Sequence, residues 1–543
     1  MMTAMTGTHV RRAGLSSLLL IGLIAAAWAP PETTRGQSRR GGIRDKKGDA
    51  KAREKQLEEA LRRQTLKVNA TYCKDLGRVL SWAVKAGLLD EAKDVYRKIR
   101  SVDREYEDLE KLKSAIVKAK KPPESKDLSG DRKTLEKKLQ KVNADHAKRL
   151  YNFAVKCFKF GLFTRSYHLF NQVLSLAPDP RNTYQKKTRN VLGFEWDRKN
   201  KKWVSEWEHE TAKKHLLTEE GWVETKHRKK WEAGQRPYKG KWVSVEREKE
   251  IRRRNEFNPF RVESEHFEVL TNLGRKEAWE YATILERFQR GFYETFIGYY
   301  DQIAGAKLLF KKGKPRKHKV YVFPSRVDYL NHVKGEQGNR KMLRERGGFY
   351  SPADRVSRFY WKRDIESTLT TLFHEVAHQL FAESKETGGG SQGNNWVVEG
   401  LATYVETCTA KGGKWRPGRR TNIGVMRNAR EILEFRVGHP RHFNLRKFAA
   451  MGHREFQHED RKEGKEDRSW DHYSLACALT HFLMHHDHGV YKEDFMRLVS
   501  AFYGGKVRED SLVDFVQVEG AASRFSTLEK QFRRYMAKLK MRK

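Results

Sequence analysis

At 543 residues the chain is too long for one ordinary domain and suggests about three or four units. Hydrophobic residues at 38% against 33% charged exclude a chain that is apolar throughout; a core can form, but parts must be very polar or extended. Lys+Arg exceed Asp+Glu by 111 − 70 = +41, which favours anionic partners, but the basic residues are mixed with glutamates along the whole chain and no nucleic-acid-binding motif accompanies them, so compositional bias is the plainer reading and specific nucleic-acid binding is not expected.

Residues 1–29 read as a signal peptide or N-terminal anchor. Arg11 and Arg12 precede an apolar run from Leu15 to Ala29, and small residues stand at Ala25, Ala27 and Ala29. The run is short for a spanning helix, which needs about 20 apolar residues. Pro30 hinders cleavage after Ala29, which leaves cleavage after Ala27 or an uncleaved anchor. The absence of cysteine here argues against a lipid anchor. The expected location is exported: periplasmic, cell-envelope or extracellular. Residues 30–53 read as a disordered linker.

Two helical hairpins follow, at 54–115 and 141–182, joined by a charged linker over 116–140 that holds Pro122 and Pro123. Each hairpin has a turn glycine (Gly87, Gly161), a small residue where helices pack closely (Ala92, Ser166) and an apolar pair (Val95 and Tyr96; Leu169 and Phe170). The pattern resembles paired tetratricopeptide helices. It implies a partner-binding scaffold; a helical spacer is an equal alternative.

Residues 183–257 repeat an aromatic, a polar turn and a Trp-Val pair, around Trp203, Trp222, Trp231 and Trp242. They read as a small Trp-rich module of β-hairpins. Aromatics among lysines can stack on sugars or bases. The plainer role for such tryptophans is the small core of an otherwise polar module.

From 258 onward the order is strand, helix, strand, helix, two strands, then a helix over Ile365–Phe381 with apolar residues at helical spacing. That helix carries His374-Glu375-Val376-Ala377-His378. Positions i and i+4 share one face, so both imidazoles can close on one metal ion, and Glu375 is placed to act as general base. A catalytic zinc takes a third protein ligand. Glu399, 21 positions after His378, stands in the first turn of a helix reading Trp396 to Thr407, after the glycine-rich turn 388–393. Thr403 and Glu406, on nearly the same face, are candidates to steady a histidine ligand.

These residues, with Trp396, Gly400, Ala402 and Tyr404, resemble the gluzincin metallopeptidases, and within them an exported bacterial family with a peptidase MA-like domain of unknown function. The resemblance covers about 258–543. It implies an α+β fold in which a small mixed sheet packs beside a helix bundle carrying HExxH, after the TPR-like hairpins and the Trp-rich module. It also implies His374, His378 and Glu399 as ligands of one Zn²⁺, and Glu375 as base. Gluzincin aminopeptidases place an oxyanion-stabilising tyrosine at the start of a later helix; Tyr473 matches that place, with His472 as competing donor. Ser474 and Leu475 depart from the family's Glu-Lys pair there. Those aminopeptidases also carry an amine-anchoring glutamate in the strand before the metal helix. The matching strand here, 347–351, holds no acidic residue, which counts against an aminopeptidase.

His481, His485, His486 and His488 form a second cluster, read as a solvated helix end rather than a second metal site. Cys73, Cys157, Cys408 and Cys477 contain no CxxC. In an oxidising compartment Cys408–Cys477 and Cys73–Cys157 are among the available pairings. The expected function is an exported zinc-dependent hydrolase, a metallo-endopeptidase acting on a peptide or protein substrate, with an anionic cell-envelope partner compatible with its charge. The alternative is a cell-envelope scaffold whose metal domain is idle.

Overall fold

The computed structural model describes residues 43–119 (except 104), 127–176, 182–254, 258–302, 317–337, 347–384 (except 363), 393–457 (except 412, 413, 417 and 419–421) and 468–541 (except 509, 510, 517 and 519–523). The segment 1–29, expected to be a signal peptide or anchor, and the stretch 30–42 lie outside the described residues. The chain divides into two compact units, one ending at Leu192 and one beginning at Gly193. It is a mixed α+β protein, and no described helix is long and apolar enough to cross a membrane.

The first unit is helical: α1 (Ile43–Ala86), α2 (Leu89–Val102), α3 (Leu109–Lys118), α4 (Ser129–Lys159), α5 (Phe163–Ser175) and α6 (Thr183–Val191). Gly87 and Gly161 turn the two hairpins at φ 88° and 75°, a conformation without strain only for glycine. Ala92 and Ser166 are fully buried, and the Ser166 hydroxyl donates to the Ala154 carbonyl at 2.9 Å across the α4–α5 contact. Two linker expectations are corrected. Residues 43–53 belong to α1 and 129–140 to α4, because these stretches are rich in Lys and Arg, good helix formers, and extend the helices behind them.

The second unit opens with three two-stranded hairpins, each followed by a short helix: β1 (Phe194–Asp197) and β2 (Lys202–Ser205) with α7 (Glu206–Thr211); β3 (His215–Thr218) and β4 (Gly221–Glu224) with α8 (Arg228–Glu232); β5 (Gln235–Tyr238) and β6 (Lys241–Ser244) with α9 (Val245–Arg253). Ser205 and Ser244 cap α7 and α9 through their hydroxyls. None of the hairpin tryptophans is fully buried. Trp196 is 40% exposed, whereas Trp231 lies under the Arg236 guanidinium at 4.0 Å. These hairpins do not form a module of their own. Gly221 lies against Trp279 and Val262, and Glu248 of α9 pairs with Arg275 at 2.8 Å, so they share a unit with the metal motif.

The main sheet has the order β10-β11-β9-β8-β7, from β7 (Phe260–Glu263), β8 (Phe267–Thr271), β9 (His318–Phe323), β10 (Gly348–Ser351) and β11 (Val356–Tyr360). The three central strands are parallel, and β7 and β10 run antiparallel at the edges. Helices α10 (Arg275–Thr295), α11 (Ile297–Gln302) and α12 (Arg326–Gln337) interrupt the strands, and α13 (Ile365–Ala382) follows them. Asp364 caps α13 by accepting from the Ser367 N–H at 2.7 Å. An aromatic layer joins α13 to α10: Phe373 stacks on Phe288 at 4.5 Å, and Phe381 meets Phe292 at 4.8 Å. Fully buried Gln379 ties α13 to the sheet, donating to the Lys319 and Arg355 carbonyls.

Beyond α13 come α14 (Asn395–Val405), a small hairpin of β12 (Thr409–Lys411) and β13 (Lys414–Arg416), α15 (Ile423–Glu434), α16 (Leu445–Ala450), α17 (His453–Phe456), α18 (Ser469–His485), α19 (Lys492–Tyr503), α20 (Leu512–Phe515) and α21 (Arg524–Lys538). Helices α14 and α18 cross closely at Gly400, where a Cβ would stand 2.6 Å from the Ala476 carbonyl oxygen.

The second histidine cluster is a solvated helix end only in part: His485 is exposed and His486 half-buried, but His481 is buried. His481 Nδ1 meets the Tyr535 hydroxyl at 2.7 Å and His485 Nε2 meets the Tyr404 hydroxyl at 2.8 Å, with the two rings 4.5 Å apart. The side chain of His488 lies outside the described ones. Desolvation lowers the pKa of both His481 and His485, to about 3 for His481. The unfolded chain therefore binds a proton at His481 that the fold refuses. Stability is complete above the unfolded pKa of about 6.5 and is lost as pH falls toward 3, at about 1.4 kcal/mol per unit. The expected result is a fall in Tm from pH 7 to pH 5 that is smaller in His481→Leu. An equal fall in both proteins would place the acid sensitivity elsewhere.

The four cysteines are free thiols. Cys73 turns toward the Ile99 carbonyl at 3.9 Å, and Cys477 lies buried inside α18, so neither of the pairings considered from sequence is made.

Candidate metal centre

Three elements build the site. Helix α13 presents His374 and His378 one turn apart, with ring centroids 4.7 Å from each other. Helix α14 brings Glu399 against them: Glu399 Oε2 stands 3.4 Å from His374 Nε2 and 3.6 Å from His378 Nε2. Bonds of about 2.0–2.2 Å at tetrahedral angles separate ligand atoms by about 3.3–3.6 Å. The three groups therefore have the spacing and the chemistry to hold one metal ion. Glu399 Oε2 is buried without a hydrogen-bond partner, as a ligand oxygen aimed at a cation would be.

The surroundings orient these groups. His374 Nδ1 meets Glu406 Oε1 at 2.9 Å, which leaves Nε2 to face Glu399. Asn422 Nδ2 donates to the other Glu406 oxygen at 3.4 Å. Burial opposes a charge on His374, yet Glu399 and Glu406 override it and hold its pKa well above the histidine range. Burial likewise opposes charge on Glu399, and the two histidines hold its carboxyl well below the usual range. The pocket thus prefers a cation facing a carboxylate.

Glu375 is buried on α13, and β10 packs directly on it: a Cβ at Gly348 would be 3.0 Å from Glu375 Cγ. Tyr473, on α18, lies beside His374 with ring centroids 6.4 Å apart. Gln457 links it to the ligand set, its Nε2 reaching the Tyr473 hydroxyl at 2.9 Å and Glu399 Oε1 at 3.3 Å.

Two sequence candidates do not join the site. The Thr403 hydroxyl donates to the Glu399 carbonyl in its own helix at 2.7 Å and touches no histidine. His472 packs by Phe448 and Phe456, with Nδ1 held at the Phe456 carbonyl at 2.8 Å.

Gln457 and Lys362 escaped the sequence reading. Gln457 follows a four-residue helix and belongs to no motif. Lys362 precedes the α13 cap and looks like an ordinary surface lysine. Its ammonium donates to the Thr371 hydroxyl at 2.6 Å, one turn before Glu375, and burial lowers its pKa against the pull of Glu406, Asp364 and Glu375.

A family described only as a protein of unknown function, DUF1570, matches residues 368–501. The matched stretch takes in His374, Glu375, His378, Glu399, Glu406, Gln457 and Tyr473. No curated protein and no solved structure matches the chain.

Proposed function

We propose that the chain is an exported zinc-dependent peptide hydrolase with a gluzincin-like site. The convergence of His374, His378 and the unpartnered Glu399 Oε2 carries this reading. Two nitrogens and one carboxylate oxygen suit zinc and leave a position open. When bound, the ion polarises a carbonyl and lowers the pKa of its water to near 7.

The protein's own groups do the rest. Glu375 takes the proton from the attacking water and returns it to the departing nitrogen. Tyr473, oriented by Gln457, donates to the oxygen that becomes negative. Strand β10 is the edge of the main sheet, with β11 as its only partner among the described residues, and it lies against Glu375. An extended peptide adding to that edge is brought to the base by its main chain. Strand β10 carries no carboxylate for a substrate amine, which favours cleavage within a chain over removal of the first residue.

The test is to load the full chain with Zn²⁺ and expose it to a proteome-derived peptide pool. New termini should appear with wild type and not with Glu375→Gln. No new termini from zinc-loaded wild type would overturn the reading. A second expectation concerns Glu406. With Glu406→Gln, His374 loses its charged partner, and zinc affinity measured by chelator competition should fall by about 10–100-fold. Unchanged affinity would remove Glu406 from the site.

A further inference from the structure

We propose that Lys362 makes the site selective for a carboxylate just after the bond to be cut, supplied either by an acidic side chain or by the peptide's own C-terminus. This rests on the peptide-hydrolase reading above.

The backbone at Gly347 and Gly348 lies across the α13 face that carries Thr371 and Glu375. A Cβ at Gly348 would be 3.0 Å from Glu375 Cγ, and a Cβ at Gly347 would be 3.0 Å from Lys362 Nζ and 3.4 Å from Thr371 Oγ1. Moving one residue back along the strand thus moves from the base to the ammonium. Thr371 and Glu375 stand one helical turn apart, so Lys362 sits about 5 Å from the level of the base.

The ammonium has three N–H donors. Thr371 takes one, and Glu406, Asp364 and Glu375 act on the ammonium through their charge without a hydrogen bond to it among the described residues. The side chain is half-buried, so an anion arriving there would meet a partly desolvated cation. Direction follows from strand pairing. Antiparallel addition is the more stable mode per residue, and it runs the peptide from Glu375 toward Gly347 in its own N-to-C direction. Lys362 therefore faces the portion that follows the attacked carbonyl. Glu399 and Glu406 stand against His374, and Glu406, Asp364 and Glu375 all act on the Lys362 charge, so the surroundings of the site are rich in carboxylates. Without Lys362 such a site would repel anionic peptides.

The experiment reads binding rather than turnover. Zinc-loaded Glu375→Gln protein is immobilised and offered randomised heptapeptides in three pools: free C-terminus, amidated C-terminus, and amidated with Asp and Glu omitted. Retained peptides are counted by mass spectrometry. Enrichment of about tenfold or more is expected for the carboxylate-bearing pools, in keeping with a charge-assisted hydrogen bond. Preference for the first pool over the second names the C-terminus as source; preference for the second over the third names an acidic side chain. The enrichment should vanish in Lys362→Gln and return in part in Lys362→Arg, with zinc content equal in all three. Equal retention of all pools, no retention, or a preference that survives Lys362→Gln overturns the proposal. Cleavage of the proteome pool by wild type without such a preference would leave the hydrolase reading standing alone.

Discussion

Glu375→Gln should abolish hydrolysis while leaving the metal in place. The substitution keeps the size of the side chain that β10 packs on, and it leaves the three candidate ligands His374, His378 and Glu399 in place. What it removes is the proton acceptor. General-base assistance is worth about 10²–10⁴ in rate, so turnover should fall by at least that range. Zinc content, measured by metal analysis, should match wild type. Loss of both activity and zinc would mean that Glu375 supports the ligands. Full activity would place the base elsewhere.

The second large effect is expected far from any reacting atom. Gly400 follows Glu399 directly, and it is the point where α14 meets α18. A Cβ there would stand 2.6 Å from both the Ala476 carbonyl oxygen and Thr480 Oγ1. The first of these is helix backbone and cannot swing aside. Gly400→Ala must therefore push α14 off α18, at a cost of about 1–3 kcal/mol. The two helices carry Glu399 and Tyr473, so the displacement also opens the site. A lower Tm and weaker zinc retention should appear together. Gly424→Ala in α15 is the control, because its nearest neighbour, Asn422 Oδ1, is 3.9 Å away. There the loss of unfolded-state freedom should leave stability equal or slightly raised. An unchanged Tm in Gly400→Ala would show that the helices can part without loss.

Helical periodicity accounts for the parts of the site that were legible beforehand. His374 and His378 share a face because a helix repeats every 3.6 residues, and no tertiary contact is needed for that. The turn glycines Gly87 and Gly161 were legible for a similarly local reason: a tight interhelical turn takes positive φ. Periodicity could not choose between Thr403 and Glu406, which both follow Glu399 at helical intervals. Reach decided it, since a threonine hydroxyl turns back to its own helix carbonyl whereas the longer carboxylate crosses to His374. Nor could it choose between His472 and Tyr473. That choice depended on where Phe456 and Gln457 lie, 16 residues earlier.

The same distinction separates the rest of the molecule. By itself the sequence determined a mixed α+β chain, hairpins marked by Gly87 and Gly161, and a metal-type trio spaced over residues 374–399, because these follow from side-chain chemistry and short-range backbone geometry. Only the tertiary structure decided that the Trp-rich hairpins join the metal unit, that the cysteines stay apart, and that Gln457 and Lys362 border the site. Those are contacts between segments distant along the chain, and local periodicity carries no information about which segments meet.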